Sequence, residues 1–390
     1  MKEQTCIIIG GGYAGLNAIN AIRKTMQGIP LQIILIDKQP HHLRKVLLFK
    51  AAAAGTPITI PFEDIFTEGI SFLQGMVKEI TSEEKRLQYE DAKGNSHQIN
   101  YDILIVTVGS VIRKPALEQG GMALTDLNAG ASIRQQWLAN LQKAAKETNR
   151  ANRQRLLTVA VAGAGISGIE TSAELAYEMR KEAAALRLDP AEIRVFLINA
   201  QERLFPEGPA KVGRKLEIAL NKIGVTVLHR CKAMQEKEGV LMLTGSKPMP
   251  VGLCIWTLGL LPNPVLRSFG LPLTPEGQVI VDASYRVKGA PGVYSIGDCA
   301  HITDPANGRP DRMTCKEAVA QATRLVKVIS ADLNNRPAPT HQTHMDFFCI
   351  GLGPEQGMVW TRHWGLDFIL TGKLGWKIRK FTWDSASLVK

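Results

Sequence analysis

One local pattern is written twice into this chain. CIIIGGGYAGLNAINAIRK, starting at Cys6, is an apolar run, a turn holding Gly10, Gly12 and Gly15, and an Ala-rich helix beginning near Tyr13. LLTVAVAGAGISGIETSAELAYEM repeats it, with Gly163, Gly165 and Gly168 in the same register. In such a G-x-G-x-x-G turn the first glycine allows the tight bend. The second lets a pyrophosphate approach the backbone, and the third lets helix and strand pack closely. The phosphates meet free N–H groups and the positive end of the helix dipole. Asp37, 22 residues past Gly15 at the end of LQIILID, offers a carboxylate to ribose hydroxyls. The matching run Ile193–Asn199 ends on Asn199 instead of an acid.

The recurrence extends beyond the turns. From Gly10 to Gly109 is 99 residues, and from Gly163 to Gly259 is 96. Each interval reads as glycine turn, helix, strand, antiparallel meander and a strand ending in Thr-x-Gly, through Thr107 in the first copy and Thr257 in the second. A duplicated nucleotide-binding unit follows, and with it an α/β fold. Two dinucleotide sites in one chain suggest one tightly held redox cofactor and one exchangeable nicotinamide.

At 390 residues the chain has room for two or three domains, and 45% hydrophobic with 21% charged residues is an ordinary folded composition. No apolar run approaches the roughly 20 residues needed to cross a bilayer. The first strand follows Met1–Thr5 directly, leaving no room for a cleavable signal, so a cytosolic protein is expected. The six cysteines are scattered, which argues against both a metal site and a redox disulfide and for buried, reduced thiols. The net charge of +11 suits an anionic partner: cofactor phosphates, an acidic membrane surface or nucleic acid.

Taken in order, His41, His42, Arg44, Lys45 and Lys50 fall just past the second strand, where open α/β sheets bind ligands, or else in a solvated loop. Gly75–Tyr101 reads as the meander. The segment 132–155, with Lys143, Lys146, Arg150, Arg153 and Arg155, reads as one long surface helix with a solvated basic face. GVYSIGDCA ends a strand on Gly297-Asp298, where Asp298 either accepts from a polyhydroxyl chain or caps the next helix; His301 beside it reads as structural. The C-terminal stretch mixes strand-like runs with Trp360, Trp364, Trp376 and Trp383. Its last twenty residues set Lys373, Lys377, Arg379, Lys380 and Lys390 against Asp384 alone. That composition suits a segment lying at a lipid interface, with a subunit interface or a cap over the cofactor as alternatives.

The pieces IIIGGGYAG, ILID, ILIVTVGS, VAGAGISGIE, IWTLGLLPNP and VYSIGDCA, in this order, resemble the two-dinucleotide-domain flavoproteins of the pyridine nucleotide–disulfide reductase fold. Within that superfamily the chain is most similar to type II NADH dehydrogenases, the membrane-associated NADH:quinone oxidoreductases. IDKQPHHLRKVLLF is similar to their Asp-x-x-x-x-His segment and IWTLGLLPNP to their Trp-Thr-x-Gly motif, and they too lack a redox disulfide. The resemblance implies two Rossmann-like FAD- and NAD(P)-binding domains with antiparallel meander insertions, plus a small C-terminal region. The expected division is FAD-binding over 1–125, NAD(P)H-binding over 126–281, FAD-binding again over 282–338, and a C-terminal cap or membrane-association region over 339–390.

The resemblance further implies FAD on Gly10, Gly12, Gly15 and Asp37, with Thr107 and Gly109 nearby and Asp298 on the ribityl chain. Tyr13, Ala14, Lys38, His42, Lys45, Val77 and Gly297 are assigned to the same site. NADH or NADPH goes to Gly163, Gly165, Ser167, Gly168, Asn199 and Gly259, and Glu170 matches a family carboxylate placed near nicotinamide and flavin. There are two departures. Where the family carries Ala-Gln and a later Gln-Gln at its quinone site, RMTCKEAVAQAT has Lys316-Glu317 and only Gln321. Where NADH-preferring members have an acid stands Asn199, which repels a 2′-phosphate less, and Arg203 could approach that phosphate.

The implied function is an FAD-dependent NAD(P)H dehydrogenase reducing a quinone, cytoplasmic and peripheral on the inner face of the cell membrane. Glu170, Lys316 and Glu317 are the residues available to protonate the quinone. No metal and no nucleic acid enter this reading, and a homodimer is compatible with it. One rival is a reductase of a small soluble carrier such as an iron–sulfur protein. The other is a nucleotide-dependent binding protein like relatives of apoptosis-inducing factor, using its basic face for nucleic acid.

Overall fold

The computed structural model describes residues 3–343 and 345–389. The first repeat runs through β1 (Gln4–Ile9), α1 (Tyr13–Thr25), β2 (Leu31–Asp37), β3 (Ser71–Thr81), β4 (Arg86–Asp91), β5 (Ser96–Asn100), β6 (Ile103–Val106) and β7 (Ser110–Ile112). The second holds β8 (Met122–Ala123), α2 (Leu127–Ala144), α3 (Arg150–Leu156), β9 (Thr158–Ala162), α4 (Ile166–Ala185), β10 (Arg194–Ile198), β11 (Val225–Leu228), β12 (Leu253–Trp256) and β13 (Leu260–Pro262). The chain then returns with β14 (Val293–Ser295) and α5 (Cys315–Leu333). It ends in β15 (Phe347–Gly351), β16 (Gly357–His363), β17 (Leu366–Thr371) and α6 (Gly372–Ala386).

Each repeat builds a sheet around the strand that leads into its glycine turn, β1 in one and β9 in the other. One sheet has the order β14-β6-β1-β2-β3-β4-β5, parallel as far as β3 and antiparallel through the meander. The other, β8-β12-β9-β10-β11, is parallel throughout. Its meander stands apart as a three-stranded sheet over Lys232–Lys237, Val240–Thr244 and Met249–Pro250. The continuous apolar runs of β1, β6, β9 and β12 follow from this layout, because a central parallel strand is covered on both faces. Ile7, Ile8, Leu104, Ile105, Val159 and Val161 are fully buried.

Two short crossings join the sheets, and they pair with each other. β7 and β13 run antiparallel with Ser110 opposite Pro262, Val111 opposite Leu261 and Ile112 opposite Leu260. Reciprocal bonds close the ends, from Arg113 N–H to Gly259 O (3.0 Å) and from Asn263 N–H to Gly109 O (3.1 Å). After β13, Leu266, Phe269 and Leu271 pack with Ile7, Ile9 and Leu104, so the chain has rejoined the first core well before residue 281.

The helix expected over 132–155 is two helices. Asp126 caps α2 by accepting from Ala129 N–H (2.9 Å), six residues ahead of the expected start. Asn149 caps α3 by accepting from Asn152 N–H (2.9 Å), which ends any continuous helix there. Nor is α2 a surface helix throughout: Ile133, Trp137 and Leu141 are buried, and Trp137 Nε1–H donates to Ala52 O (3.0 Å).

Candidate functional site

The two glycine turns have the same stereochemistry. Gly10 and Gly163 take φ of 101° and 117°, the left-handed side that a side chain resists. A Cβ on Gly15 would come 2.0 Å from Gly10 O, and one on Gly168 would come 1.8 Å from Gly163 O, so the third glycine is required for close packing. At Gly12 and Gly165, in contrast, a Cβ would meet nothing within 4 Å. Both helices therefore start from glycine caps without side-chain bonds, facing open space where a pyrophosphate can reach the first N–H groups. Thr107 and Thr257 brace the two turns alike: each hydroxyl donates to the first glycine's carbonyl, at 2.8 and 2.9 Å. These residues fit a dinucleotide in both units.

In the first unit Asp37 accepts from Gly11 N–H (2.6 Å) and Gln39 N–H (2.9 Å), and burial raises its pKa. Asp298 accepts from Ser110 Oγ (2.5 Å) and lies 4.0 Å from Lys45 Nζ, which itself donates to Ser110 Oγ (2.7 Å) and Ser110 O (3.0 Å). Burial lowers the pKa of that lysine. Asp298 caps no helix, since the next begins at Cys315. A Cβ on Gly297 would stand 2.8 Å from the Ala14 Cβ, so the Gly297–Asp298 turn rests on the start of α1. Lys45, Gly109, Asp298, Gly297 and Ala14 thus share one corner, with Ser110 as a central member that the sequence reading missed.

Three other assignments sit differently. His42 is buried beneath the turn, where Nδ1–H donates to Gly11 O (3.0 Å) and Nε2 lies 3.3 Å from Ser387 Oγ. Burial pulls its pKa down to about 4. Tyr13 stacks its edge on that imidazole, and Val77 is a core residue beside Ile34 and Ile36. These support the site from behind, while Lys38 is exposed at its rim.

In the second unit Asn199 is buried, accepting from Gln201 N–H (3.1 Å) and bonding His229 Nδ1 through its amide (2.9 Å). Arg203 does not reach toward a 2′-phosphate. Its guanidinium donates to Phe205 O (2.9 Å), Pro206 O (2.6 Å) and Gly208 O (2.9 Å), curling the loop around itself. Ser167 is exposed on the first turn of α4 and Gly259 is open, with no atom within 4 Å of an added Cβ.

Glu170, 2% exposed, makes a two-pronged ion pair with Arg379 of α6, at 2.9 Å to Nε and 3.0 Å to Nη2. It also accepts from Gly351 N–H (2.7 Å). Arg379, read as part of a basic lipid-facing tail, is itself only 7% exposed; Trp383 and Trp360 are buried too, and Trp364 alone stands out at 85%. Asn17 occupies the position in α1 that Glu170 occupies in α4, two residues past the third glycine, and it donates to Ala386 O at the end of α6 (2.9 Å). One helix therefore straps both units at equivalent points, helped by Arg44 to Asp384 (2.5 Å).

Lys316 and Glu317 open α5 on a cleft of about 130 Å³ lined also by Phe205, Phe347 and Trp360; Glu170 does not line it. Lys316 Nζ donates to Phe347 O (2.7 Å), and burial lowers its pKa. Glu317 accepts from Thr314 Oγ1 (2.6 Å), and burial raises its pKa. Among the described residues no cluster of His, Cys, Asp and Glu could hold a metal ion, and no helix is long and apolar enough to cross a membrane.

The profile of the pyridine nucleotide-disulphide oxidoreductases matches residues 4–322. The chain is 24% identical over 409 residues to the "Probable NADH dehydrogenase" of Dictyostelium discoideum, covering 100% of this chain and 86% of that one. It is 22% identical to a type II NADH:quinone oxidoreductase of Staphylococcus aureus, covering 84% and 82%. The fold is similar to that of NDH2 from Plasmodium falciparum solved in complex with NADH: TM-score 0.82 at 16% identity, covering 99% of this chain and 97% of that one.

Proposed function

Because this chain belongs to the pyridine nucleotide-disulphide oxidoreductase family, we propose that it is a flavoprotein dehydrogenase that takes electrons from NADH and passes them to a quinone. The observation that carries the reading is the matched pair of open second-glycine positions at Gly12 and Gly165, each at a bare helix N-terminus, tied together by α6. Bound FAD supplies the hydride acceptor for the reduced nicotinamide and the two-electron donor for the quinone. The chain's own part is placement. The Gly10–Gly15 turn and Asp37 hold the first nucleotide, and Asp298, oriented by Ser110 and Lys45, holds the polyhydroxyl chain. The Gly163–Gly168 turn, with Asn199 and Gly259, holds the second.

Glu317, its proton affinity raised by burial, is the residue we assign to protonate the reduced acceptor, with Lys316 beside it. Glu170 takes a positioning part, since its oxygens are committed to Arg379 and Gly351. The commitments of Asn199 and Arg203 favour NADH over NADPH. Attachment to the inner face of the cell membrane would use Trp364, Leu366, Phe368, Leu374 and Phe381, all exposed, with Lys373, Lys377 and Lys380 for anionic headgroups.

The test is anaerobic. NADH is expected to bleach the yellow, FAD-loaded protein, and a short-chain quinone to restore the colour. Bleaching that persists after quinone addition overturns the acceptor. A folded protein that takes up no FAD overturns the whole reading.

A further inference from the structure

A buried polar chain runs behind the cofactor corner and enters none of the roles above. Gln321, 2% exposed on α5, accepts from Gly297 N–H through Oε1 (2.7 Å) and donates from Nε2 to Asp311 Oδ2 (2.8 Å). The other oxygen of Asp311 lies 3.1 Å from His341 Nε2. His341 Nδ1 is 2.9 Å from the hydroxyl of Tyr285, whose oxygen accepts from Arg324 (2.9 Å). Tyr285 is fully buried at φ 66°, a strained conformation for a bulky residue, so its surroundings hold it firmly.

The direction of these bonds is fixed from Gly297 outward. A backbone N–H can only donate, so Gln321 must turn its carbonyl to Gly297 and its amide to Asp311, which must then accept. Gly297 needs such a tether. At φ 78° it has the freedom of a glycine, and it is the residue before Asp298, whose oxygen must meet Ser110 at 2.5 Å. With its carbonyl on Gly297, an amide hydrogen on Asp311 and only 2% exposure, Gln321 presents no open face to an electron acceptor, the part its family counterpart suggested.

We infer that Gln321, backed by Asp311, is a positioning residue that fixes the Gly297–Asp298 turn for the flavin. The inference rests on the flavin reading of that corner. Its test is FAD affinity, with NADH affinity and melting temperature measured alongside. Gln321→Met leaves Gly297 N–H and Asp311 without their partner, and Gln321→Glu sets two carboxylates face to face. Each is expected to weaken FAD binding about tenfold or more and to alter the flavin's visible absorption, with NADH affinity unchanged. The double variant Q321E/D311N restores a complete set of bonds with the charge on the other side. It is expected to recover FAD affinity to within about threefold of the parent.

Single variants that bind FAD as the parent does, a double variant no better than Q321E, or parallel losses of FAD and NADH would each overturn the inference. Should Q321M fail to fold, Q321E and its double decide. A parent protein that takes up no FAD would overturn the flavin reading itself, an outcome distinct from these.

Discussion

The three glycines of each turn do different physical work, and substitution separates them. Gly12→Ala is expected to abolish FAD uptake while leaving the melting temperature of the FAD-free protein unchanged, because its methyl enters only the open space above the turn. Gly15→Ala drives a Cβ onto Gly10 O and is expected to cost about 1–3 kcal/mol by denaturant titration. Gly165→Ala should spare the flavin and lose NADH. His42 offers a test by pH. Its folded pKa is about 4 against an ordinary 6.5, so the native state disfavours the charged form. The stability tied to this neutral imidazole is present above pH 6.5 and is lost as pH falls toward 4, and His42→Asn should flatten that slope. Removing only one side of the Glu170–Arg379 pair leaves a buried charge unmatched. Arg379→Met is expected to destabilise by about 3–5 kcal/mol, and E170Q/R379M to recover part of it.

At the scale of elements, α6 shows what a composition can and cannot say. Its lysines, tryptophans and apolar residues read as a surface-lying segment, and one face agrees: Leu374 and Phe381 are 54% and 70% exposed. The opposite face carries Gly375, Arg379, Trp383 and Ala386 into the protein. The helical period contained this division, but which face turned inward depended on Glu170 and Asn17, hundreds of residues earlier, and no local pattern announced them. Deleting the segment from Lys373 onward would therefore unstrap both units and would not isolate attachment. Leu374→Ser with Phe381→Ser is the cleaner probe. It is expected to reduce partition onto anionic vesicles severalfold while FAD content stays constant. Likewise Ser110 became visible only once β7 met the Gly297–Asp298 turn, since a serine after a strand has no signature of its own.

Across the whole molecule, the parts legible in the sequence were those set by short-range geometry. Glycine spacing, buried strand runs and the repeated interval gave two α/β units with Thr-x-Gly strand ends. The side chains that join the units, Arg379 and Asn17 among them, were not legible, because their partners are brought together by tertiary packing. The crossing strands have a consequence of their own. Val111 sits opposite its own counterpart Leu261, and the bonds at either end are exchanged in kind, so a local dyad passes between them. Each half finishes by offering the other the edge that it accepts in return. Fragments made by nicking the backbone between Arg113 and Gly121 carry matching docking edges, and on mixing they should reassociate into a protein with the parent's FAD content.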